Sequence, residues 1–263
     1  MLFKTNHHSP TKLKRDLSAK TIQTYGFSVS GAGAAANVTA TDFDVDGNLR
    51  VAGDLIHAGN GGMLNINAKN VSADYLTTDG DFIVNAGNAV YSIGYNLNIG
   101  DNLIIQDGAN ISFADVNQVT ISNALNNSGT LNIKAKQGIS ASSFVNNNGN
   151  VILDAGSGAV DFGSLQILNG TLTVNGAEMF ADSGIDTGAM LYQGYTGELK
   201  SKDINIVAND FAITTDKLNV GGINQSGTLV VNTSTVDVAG DVMANNLRFV
   251  AQKNEAGNAI WQN

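Results

Sequence analysis

The eight residues Ser128-Gly-Thr-Leu-Asn-Ile-Lys-Ala135 contain the pattern that decides the fold of this chain. A turn residue, Gly129, is followed by Leu131, Ile133 and Ala135, which alternate with more polar residues. Successive side chains of a β-strand point to opposite faces, so alternation with a period of two predicts a strand with one buried face. The glycine predicts a tight turn before this strand.

The same unit recurs along most of the chain: a turn residue, one further residue, and then two apolar residues separated by one position. Successive copies lie roughly 20 residues apart, a repeat length typical of solenoids. Two or three short strands separated by turns fill that length. The other copies are Gly47-Asn-Leu-Arg-Val51, Gly62-Met-Leu-Asn-Ile66, Gly80-Asp-Phe-Ile-Val84, Tyr95-Asn-Leu-Asn-Ile99, Asn117-Gln-Val-Thr-Ile121, Gly149-Asn-Val-Ile-Leu153, Gly170-Thr-Leu-Thr-Val174, Lys202-Asp-Ile-Asn-Ile206, Gly227-Thr-Leu-Val-Val231 and Asn245-Asn-Leu-Arg-Phe249.

The repeat predicts an all-β protein, a right-handed parallel β-helix (β-solenoid) of about ten degenerate coils. An antiparallel sandwich or barrel also combines short strands with frequent turns. We favour the solenoid because the strands of a sandwich need not resemble one another, whereas these units do. Asparagine clusters between the units, such as Asn126-Asn127 and Asn146-Asn147-Asn148, fit either turns or ladders of stacked amides.

Composition excludes several classes of protein. The 263 residues are 43% hydrophobic, which supports a substantial core, and only 14% charged. Thirty glycines with a single proline fit many tight turns. The net charge of -9 argues against a nucleic-acid partner, which requires a basic surface. The absence of cysteine excludes disulfides and thiolate metal sites, and no apolar run is long enough to predict a membrane span.

Two parts are predicted along the chain. Residues 1–40 form a basic leader, interpreted either as disordered or as a weak signal segment that ends in the small residues Ala34-Ala-Ala36. Residues 41–263 form the solenoid.

An irregular insertion is predicted at about 176–200, where the repeat is interrupted. Insertions of this kind often carry binding function, so Phe180, Tyr192 and Tyr195 are candidates for a binding loop. The alternative is a degenerate coil, with Ile185 still in the core.

The segment Asp42-Phe-Asp-Val-Asp-Gly-Asn48 is the strongest candidate for a metal site. Asp42, Asp44, Asp46 and Asn48 match the first half of a calcium loop, in which oxygens at alternating positions surround the ion. The match ends there, because the twelfth position is glycine instead of glutamate. The alternative is a strand with Phe43 and Val45 inward and the aspartates outward.

Catalytic signatures are sparse, and we predict no catalytic residues, no enzyme and no cofactor except calcium. His57 follows a pair of strands and is expected to be a solvated turn residue. Polysaccharide lyases and hydrolases also use β-helices, so a carbohydrate-active enzyme is an alternative. Its acids would be Asp154 and Asp161 on neighbouring coils.

The units resemble the degenerate repeats of filamentous haemagglutinin-type exoproteins, and other β-helical adhesin passenger domains have similar units. The likeness covers about residues 45–252 and is carried best by Ser128-Gly-Thr-Leu-Asn-Ile-Lys-Ala135, Asn169-Gly-Thr-Leu-Thr-Val174 and Ser226-Gly-Thr-Leu-Val-Val231. With its single proline, the chain lacks the Asn-Pro-Asn motif of the family's N-terminal secretion domain. This departure indicates a fragment of a larger exoprotein or a divergent relative.

The resemblance implies a structural or adhesive protein of a Gram-negative bacterium, secreted or held at the cell surface. It also implies passage through an outer-membrane transporter and contact with a host-cell, matrix or glycan surface. A calcium-stabilised exoprotein module is a further alternative.

Overall fold

Within the part of the chain that the structure describes, every regular element is a β-strand, and the strands stack in parallel as a β-solenoid. This confirms the predicted all-β solenoid, and the number of turns differs little from the predicted ten or so. None of the described residues belongs to a helix long and apolar enough to cross a membrane. The computed structural model describes residues 14–31, 34–167, 171–175, 178–181, 185–187, 191–193, 198–206, 210–214, 217–225, 228–233, 235–244 and 246–251.

The chain divides into two compact units, Met1–Ala135 and Lys136–Asn263. The strands of the first unit are β1 (Lys14–Ser18), β2 (Thr21–Thr24), β3 (Phe27–Val29), β4 (Ala35–Thr39), β5 (Asp42–Val51), β6 (Leu55–His57), β7 (Leu64–Asn67), β8 (Asn70–Thr78), β9 (Phe82–Val84), β10 (Gly87–Ile93), β11 (Asn96–Ile99), β12 (Leu103–Ile105), β13 (Ala109–Val116), β14 (Gln118–Asn127) and β15 (Thr130–Ala135).

Three stacks of parallel strands form the faces of the first unit. The first face contains β1, β4, β7, β6, β9, β12 and the end of β14. The second face contains β2, the first halves of β5 and β8, and then β10, β13 and β15. The third face contains β3, the second halves of β5 and β8, β11 and the start of β14. The long strands β5 and β8 therefore turn the corner between the second and third faces.

The apolar positions of the repeat units form columns inside the first unit. On the third face, Leu49, Leu76 and Leu97 lie in register on successive coils and are fully buried. On the second face, Tyr91 and Phe113 lie in register and are also fully buried. Burying one such apolar side chain contributes about 1.5–3 kcal/mol relative to leaving it exposed. Alternation with a period of two thus places the core where the sequence predicted it.

One strand of the first face is stacked out of chain order. β7 pairs with β4 on one side and with β6 on the other, although β6 precedes β7 in the chain. The second edge of β6 pairs with β9. β6 is therefore an additional strand between β7 and β9, and residues 58–63 bring the chain back to β7.

The additional strand lengthens one coil. On the second face, Asp42 and the hydrogen-bonded Asn70 of the next coil are 28 residues apart. Gln23 and Asp44, which join the preceding pair of coils on the same face, are 21 residues apart. The uneven spacing of the sequence repeat therefore has a structural cause at this point.

Asparagines outside the predicted clusters form a ladder on the first face of the first unit. The side-chain amide of Asn65 donates to the side-chain oxygen of Asn37 at 2.8 Å, and Asn37 donates to the carboxylate of Asp16. Asn127 belongs to one of the predicted clusters; it is buried, and its amide donates to the backbone carbonyl of Gly129 at 2.9 Å, which is a turn contact. Ladders and turns therefore both occur, at different positions of the coil.

The described strands of the second unit repeat the same arrangement. They are β16 (Gly138–Asn146), β17 (Asn150–Asp154), β18 (Ala159–Ile167), β19 (Thr171–Asn175), β20 (Glu178–Ala181), β21 (Ile185–Thr187), β22 (Leu191–Gln193), β23 (Glu198–Ile206), β24 (Asp210–Thr214), β25 (Lys217–Gln225), β26 (Thr228–Thr233), β27 (Thr235–Val238), β28 (Val242–Met243) and β29 (Asn246–Ala251). Phe144 and Phe162 are fully buried in this unit, and their rings stack with centroids 5.2 Å apart.

Strands also occur within the predicted leader and within the predicted insertion. β1 to β4 lie within residues 1–40, the predicted leader, and β1 and β4 pair with each other. β20, β21 and β22 lie within the predicted insertion at 176–200 and pair with strands before and after them. Ile185 is in register with Leu165 and Ile204, as expected for the degenerate coil. These segments resemble the repeat unit too little to be recognised as strands from the sequence. They form strands because neighbouring coils supply the pairing partners.

Candidate functional site

Asp42, Asp44, Asp46 and Asn48, the predicted calcium ligands, lie in β5 around the corner between the second and third faces. Phe43 is buried between the aspartates, as the strand alternative predicted. The register with β8 shifts between the two halves of β5, so the four residues follow an irregular path.

Protein donors surround the first two carboxylates. Asp42 accepts a hydrogen bond from the Asn70 amide at 2.8 Å. Asp44 accepts one from the Gln23 amide at 3.2 Å and another from the Ser72 hydroxyl. Among the described residues, no three His, Cys, Asp or Glu side chains come together in a way that could hold a metal ion.

His57 is buried, with 3% of its surface exposed, so the sequence-based expectation of a solvated turn residue is wrong. It ends β6, whose three residues are all buried, and it stands in register with the inward-facing Ile66 of β7 and Val84 of β9. Its Nδ1 lies 3.0 Å from the hydroxyl oxygen of Tyr91. Burial lowers the pKa of His57 to about 4 and raises the pKa of Tyr91.

Aromatic rings pack around this buried pair. Tyr91 contacts Phe82 edge-on at a centroid distance of 5.3 Å and Phe113 at 5.6 Å. Phe82 and Phe113 also meet edge to face at 5.6 Å. All three rings are fully buried, so His57 and Tyr91 belong to the core of the solenoid and not to an exposed site.

Asp154 and Asp161, the candidate acids of a glycoside-cleaving enzyme, lie in different strands and do not pair in register. Asp154 ends β17, where its carboxylate accepts a hydrogen bond from the backbone N–H of Gly156 at 3.1 Å. This contact is a local turn. Asp161 is exposed in β18, in register with Ser140 and Phe180.

Two of the three predicted binding-loop residues lie in strands. Phe180 belongs to β20 and is in register with Asp161 and Lys200. Tyr192 belongs to β22 and is in register with Leu172 and Ile213. Tyr195 lies outside the described residues.

Exposed tyrosines lie instead at the corner between the second and third faces of the first unit. Tyr25, Tyr75 and Tyr95 have 68%, 39% and 51% of their surface exposed. Tyr75 and Tyr95 stack, with ring centroids 4.8 Å apart and planes within 10° of each other. Because that separation equals the spacing of neighbouring strands, the two rings occupy successive coils.

Two exposed carboxylates share this corner with the tyrosines. Asp46 and Asp74 are exposed at the corner positions of β5 and β8. The backbone N–H of Tyr95 donates to the carbonyl of Asp74 at 2.7 Å, and this hydrogen bond joins the two successive coils at the corner. We call the set Tyr25, Asp46, Asp74, Tyr75 and Tyr95 the acid–tyrosine corner.

Gly47 permits the close packing of this corner. Its φ is +124°, and a Cβ at this position would lie only 2.7 Å from the carbonyl oxygen of Tyr25. An L-residue would therefore be strained by both its backbone conformation and its neighbour.

A surface groove of about 380 Å³ runs beside the corner. Tyr25, Asp44, Asp46 and Asp74 line it, so it combines an aromatic side chain with carboxylates from two coils. Its remaining lining is Gln23, Thr24, Val45, Ser72 and Ala73.

Sequence analysis did not single out these tyrosines, although a signal is present. Tyr25 and Tyr95 stand two residues before Phe27 and Leu97, the first apolar residues of β3 and β11, and Tyr75 directly precedes Leu76 of β8. Elsewhere glycine or asparagine usually takes such turn positions. A large aromatic residue at a corner is a signal for surface function.

Comparison of the chain with protein-family models, with curated proteins and with solved structures found no match.

Proposed function

We propose that this chain is a structural or adhesive β-solenoid, secreted or held at the cell surface, which binds a partner through its exposed side. The observation that carries the proposal is the stack of Tyr75 and Tyr95 on the outer surface of a polar solenoid. Tyrosine at a surface supplies a large apolar face together with a hydroxyl group, a combination enriched where proteins bind partners.

The different roles of inward-facing and outward-facing side chains support this function. In the first unit, the large inward-facing side chains are used in core columns, and even the titratable pair His57 and Tyr91 is buried. Recognition is left to corner and outward-facing residues. Stacked coils present such residues at a fixed spacing, which suits attachment to an extended partner.

The resemblance to haemagglutinin-type exoproteins implies that the chain is exported from the cell and which kind of surface it contacts. Both are part of the proposal. The chain would leave the cell through an outer-membrane transporter and attach to a host-cell, matrix or glycan surface. Because only 14% of the residues are charged, uncharged polar side chains supply most of the polar exterior of the repeat units.

The test is attachment of the purified full chain to cultured cells and to immobilised matrix proteins. The double variant Tyr75→Ser/Tyr95→Ser should lose most of the attachment seen for the wild type. Val90→Ser is the matched control, because Val90 is also exposed, at 41%, but lies on the second face away from the corner. Equal attachment of the double variant and the wild type, or attachment of neither to any surface, would contradict the proposal.

A further inference from the structure

We infer that the acid–tyrosine corner binds an extended cationic peptide whose arginine side chains stack on Tyr75 and Tyr95 and pair with Asp46 and Asp74. This inference rests on the proposed function, because it names the class of ligand that the exposed corner would recognise. It also goes beyond that function, since attachment through a glycan would need no cation.

The tyrosine stack is the aromatic half of the site. The two rings lie face to face with planes within 10° of each other, so each ring keeps its outer face for a further planar group, and about half of the surface of Tyr95 is open to solvent. A guanidinium group is planar and weakly hydrated, so it stacks on a tyrosine face better than an ammonium group does. Stacking leaves the N–H groups at the edge of the guanidinium directed outward and able to reach a carboxylate.

The carboxylates are the electrostatic half of the site. Asp44, Asp46 and Asp74 line the groove next to Tyr25, and Asp74 directly precedes Tyr75 in the chain. Their summed field attracts a cation and repels an anion such as a sulfated or sialylated glycan. The net charge of -9 adds to the same preference at longer range.

The geometry of the corner also matches an extended peptide. From Tyr25 to Tyr95 the corner crosses three strand spacings, which amounts to about 14 Å. An extended peptide covers that distance with about four residues. The site therefore accepts a short segment in which two or three arginines alternate with small residues.

Fluorescence anisotropy with the full chain tests the inference. The probe is a dye-labelled octapeptide in which arginine alternates with glycine, and the comparison peptides replace arginine with lysine or glutamine. We expect the arginine peptide to bind more tightly than the lysine peptide, and the glutamine peptide not to bind. Tyr95→Ala and Asp74→Asn should each weaken arginine-peptide binding about five- to tenfold.

Two control variants separate this site from general charge attraction. Asp107→Asn removes the same charge from an exposed turn outside the corner and should leave the affinity unchanged. Tyr95→Phe keeps the ring and should bind within about twofold of the wild type, because the aromatic face is preserved. Circular dichroism checks that every variant retains its β-structure.

The remaining outcomes each count against the inference. Equal weakening by Asp107→Asn and Asp74→Asn would mean nonspecific charge attraction. Binding of a neutral oligosaccharide that is lost in Tyr95→Ala, without binding of the arginine peptide, would replace the ligand class by a glycan. Cell attachment that depends on Tyr75 and Tyr95 but not on Asp74 would overturn the inference and leave the proposed function standing.

Discussion

The coil from β5 to β7 and the coil from β10 to β12 both belong to the first unit but are built differently. The later coil contributes one strand to each face, and its inward-facing residues are apolar except for the hydroxyl of Tyr91. The earlier coil contributes an additional strand to the first face and buries two polar side chains, His57 and Asn65. The same stacking rule thus accommodates a regular and an irregular path of the chain.

Complete pairing of the additional strand explains why the irregular coil is tolerated. Toward β9, the N–H of Leu55 donates to the carbonyl of Asp81 at 2.8 Å, and the carbonyl of His57 accepts from Asn85 at 3.1 Å. Toward β7, the N–H of Ala58 donates to the carbonyl of Ile66 at 2.8 Å. A buried backbone group without a partner would cost about 1–3 kcal/mol, so this pairing is essential.

The buried polar side chains of the irregular coil are satisfied as well. Asn65 donates to Asn37 and to the carbonyl of Gly62, and its side-chain oxygen accepts from the N–H of Gly62 at 3.1 Å. Residues 58–63, which return the chain to β7, are therefore hydrogen-bonded to that strand. The solenoid does not require that strands stack in chain order. It requires that the strand edges are paired and that buried side chains are apolar or hydrogen-bonded.

The largest expected effect compares Leu55→Ala in the additional strand with Leu103→Ala in the regular coil. Both leucines are fully buried on the first face, and both strands flank β9. Each variant should lower the free energy of unfolding by about 2–5 kcal/mol, because truncation removes buried surface and leaves a cavity. Urea unfolding of the full chain measures both values. A loss of less than about 1 kcal/mol for Leu55→Ala alone would show that β6 is dispensable.

The second prediction concerns pH. His57 has a pKa of about 4 in the folded chain, against 6.5 for the ordinary group, so below pH 6.5 the unfolded chain takes up the proton first. Stability contributed by the neutral imidazole is therefore present above pH 6.5 and lost as the pH falls toward 4, by about 3 kcal/mol in total. Urea unfolding at pH 7 and pH 4 measures the loss.

The control for the pH prediction is the double variant His57→Phe/Tyr91→Phe, which removes both polar partners together. The wild type and the variant share every other group that titrates between pH 4 and pH 7, so the difference between them isolates His57. The variant should lose about 3 kcal/mol less between the two pH values. Equal losses would mean that His57 is not held neutral by burial.

The smallest expected effect concerns the turn that follows the additional strand. Ala58 has a φ of 54°, a left-handed conformation that is strained for residues with a Cβ. Ala58→Gly should raise the free energy of unfolding by about 0.5–1 kcal/mol, since relief of strain exceeds the entropy cost of glycine. Ala124→Gly, at a position of β14 whose φ is not positive, should lower it by a similar amount. Destabilisation by both changes would contradict the strain at Ala58.

The sequence predicted the core well where local pattern and burial coincide. Leu131 and Ile133 of the unit Ser128–Ala135 are fully buried, and so are Leu49 and Val51 of an earlier copy. Period-two alternation is a local property, so it can be seen in a single sequence. His57 failed for the opposite reason, because its burial depends on β7 and β9, strands that follow it in the chain.

The candidate site was predicted less well than the core. Sequence spacing drew attention to the aspartates of β5 and to Phe180, Tyr192 and Tyr195, all of which stand out locally. The acid–tyrosine corner escaped attention because its members come from four coils between Tyr25 and Tyr95. Only stacking of those coils brings Tyr75 and Tyr95 to 4.8 Å.

By itself, the sequence determined that this chain is built of short strands with one buried face and that successive coils repeat them. Alternation of apolar residues and placement of turn residues are sufficient for that, because both act within a few positions along the chain. The tertiary structure alone decided the order in which strands stack, the burial of His57 against Tyr91 and the assembly of the exposed corner. Each of these depends on which strands become neighbours, and hydrogen bonding between parallel strands does not require that neighbours follow one another in the chain.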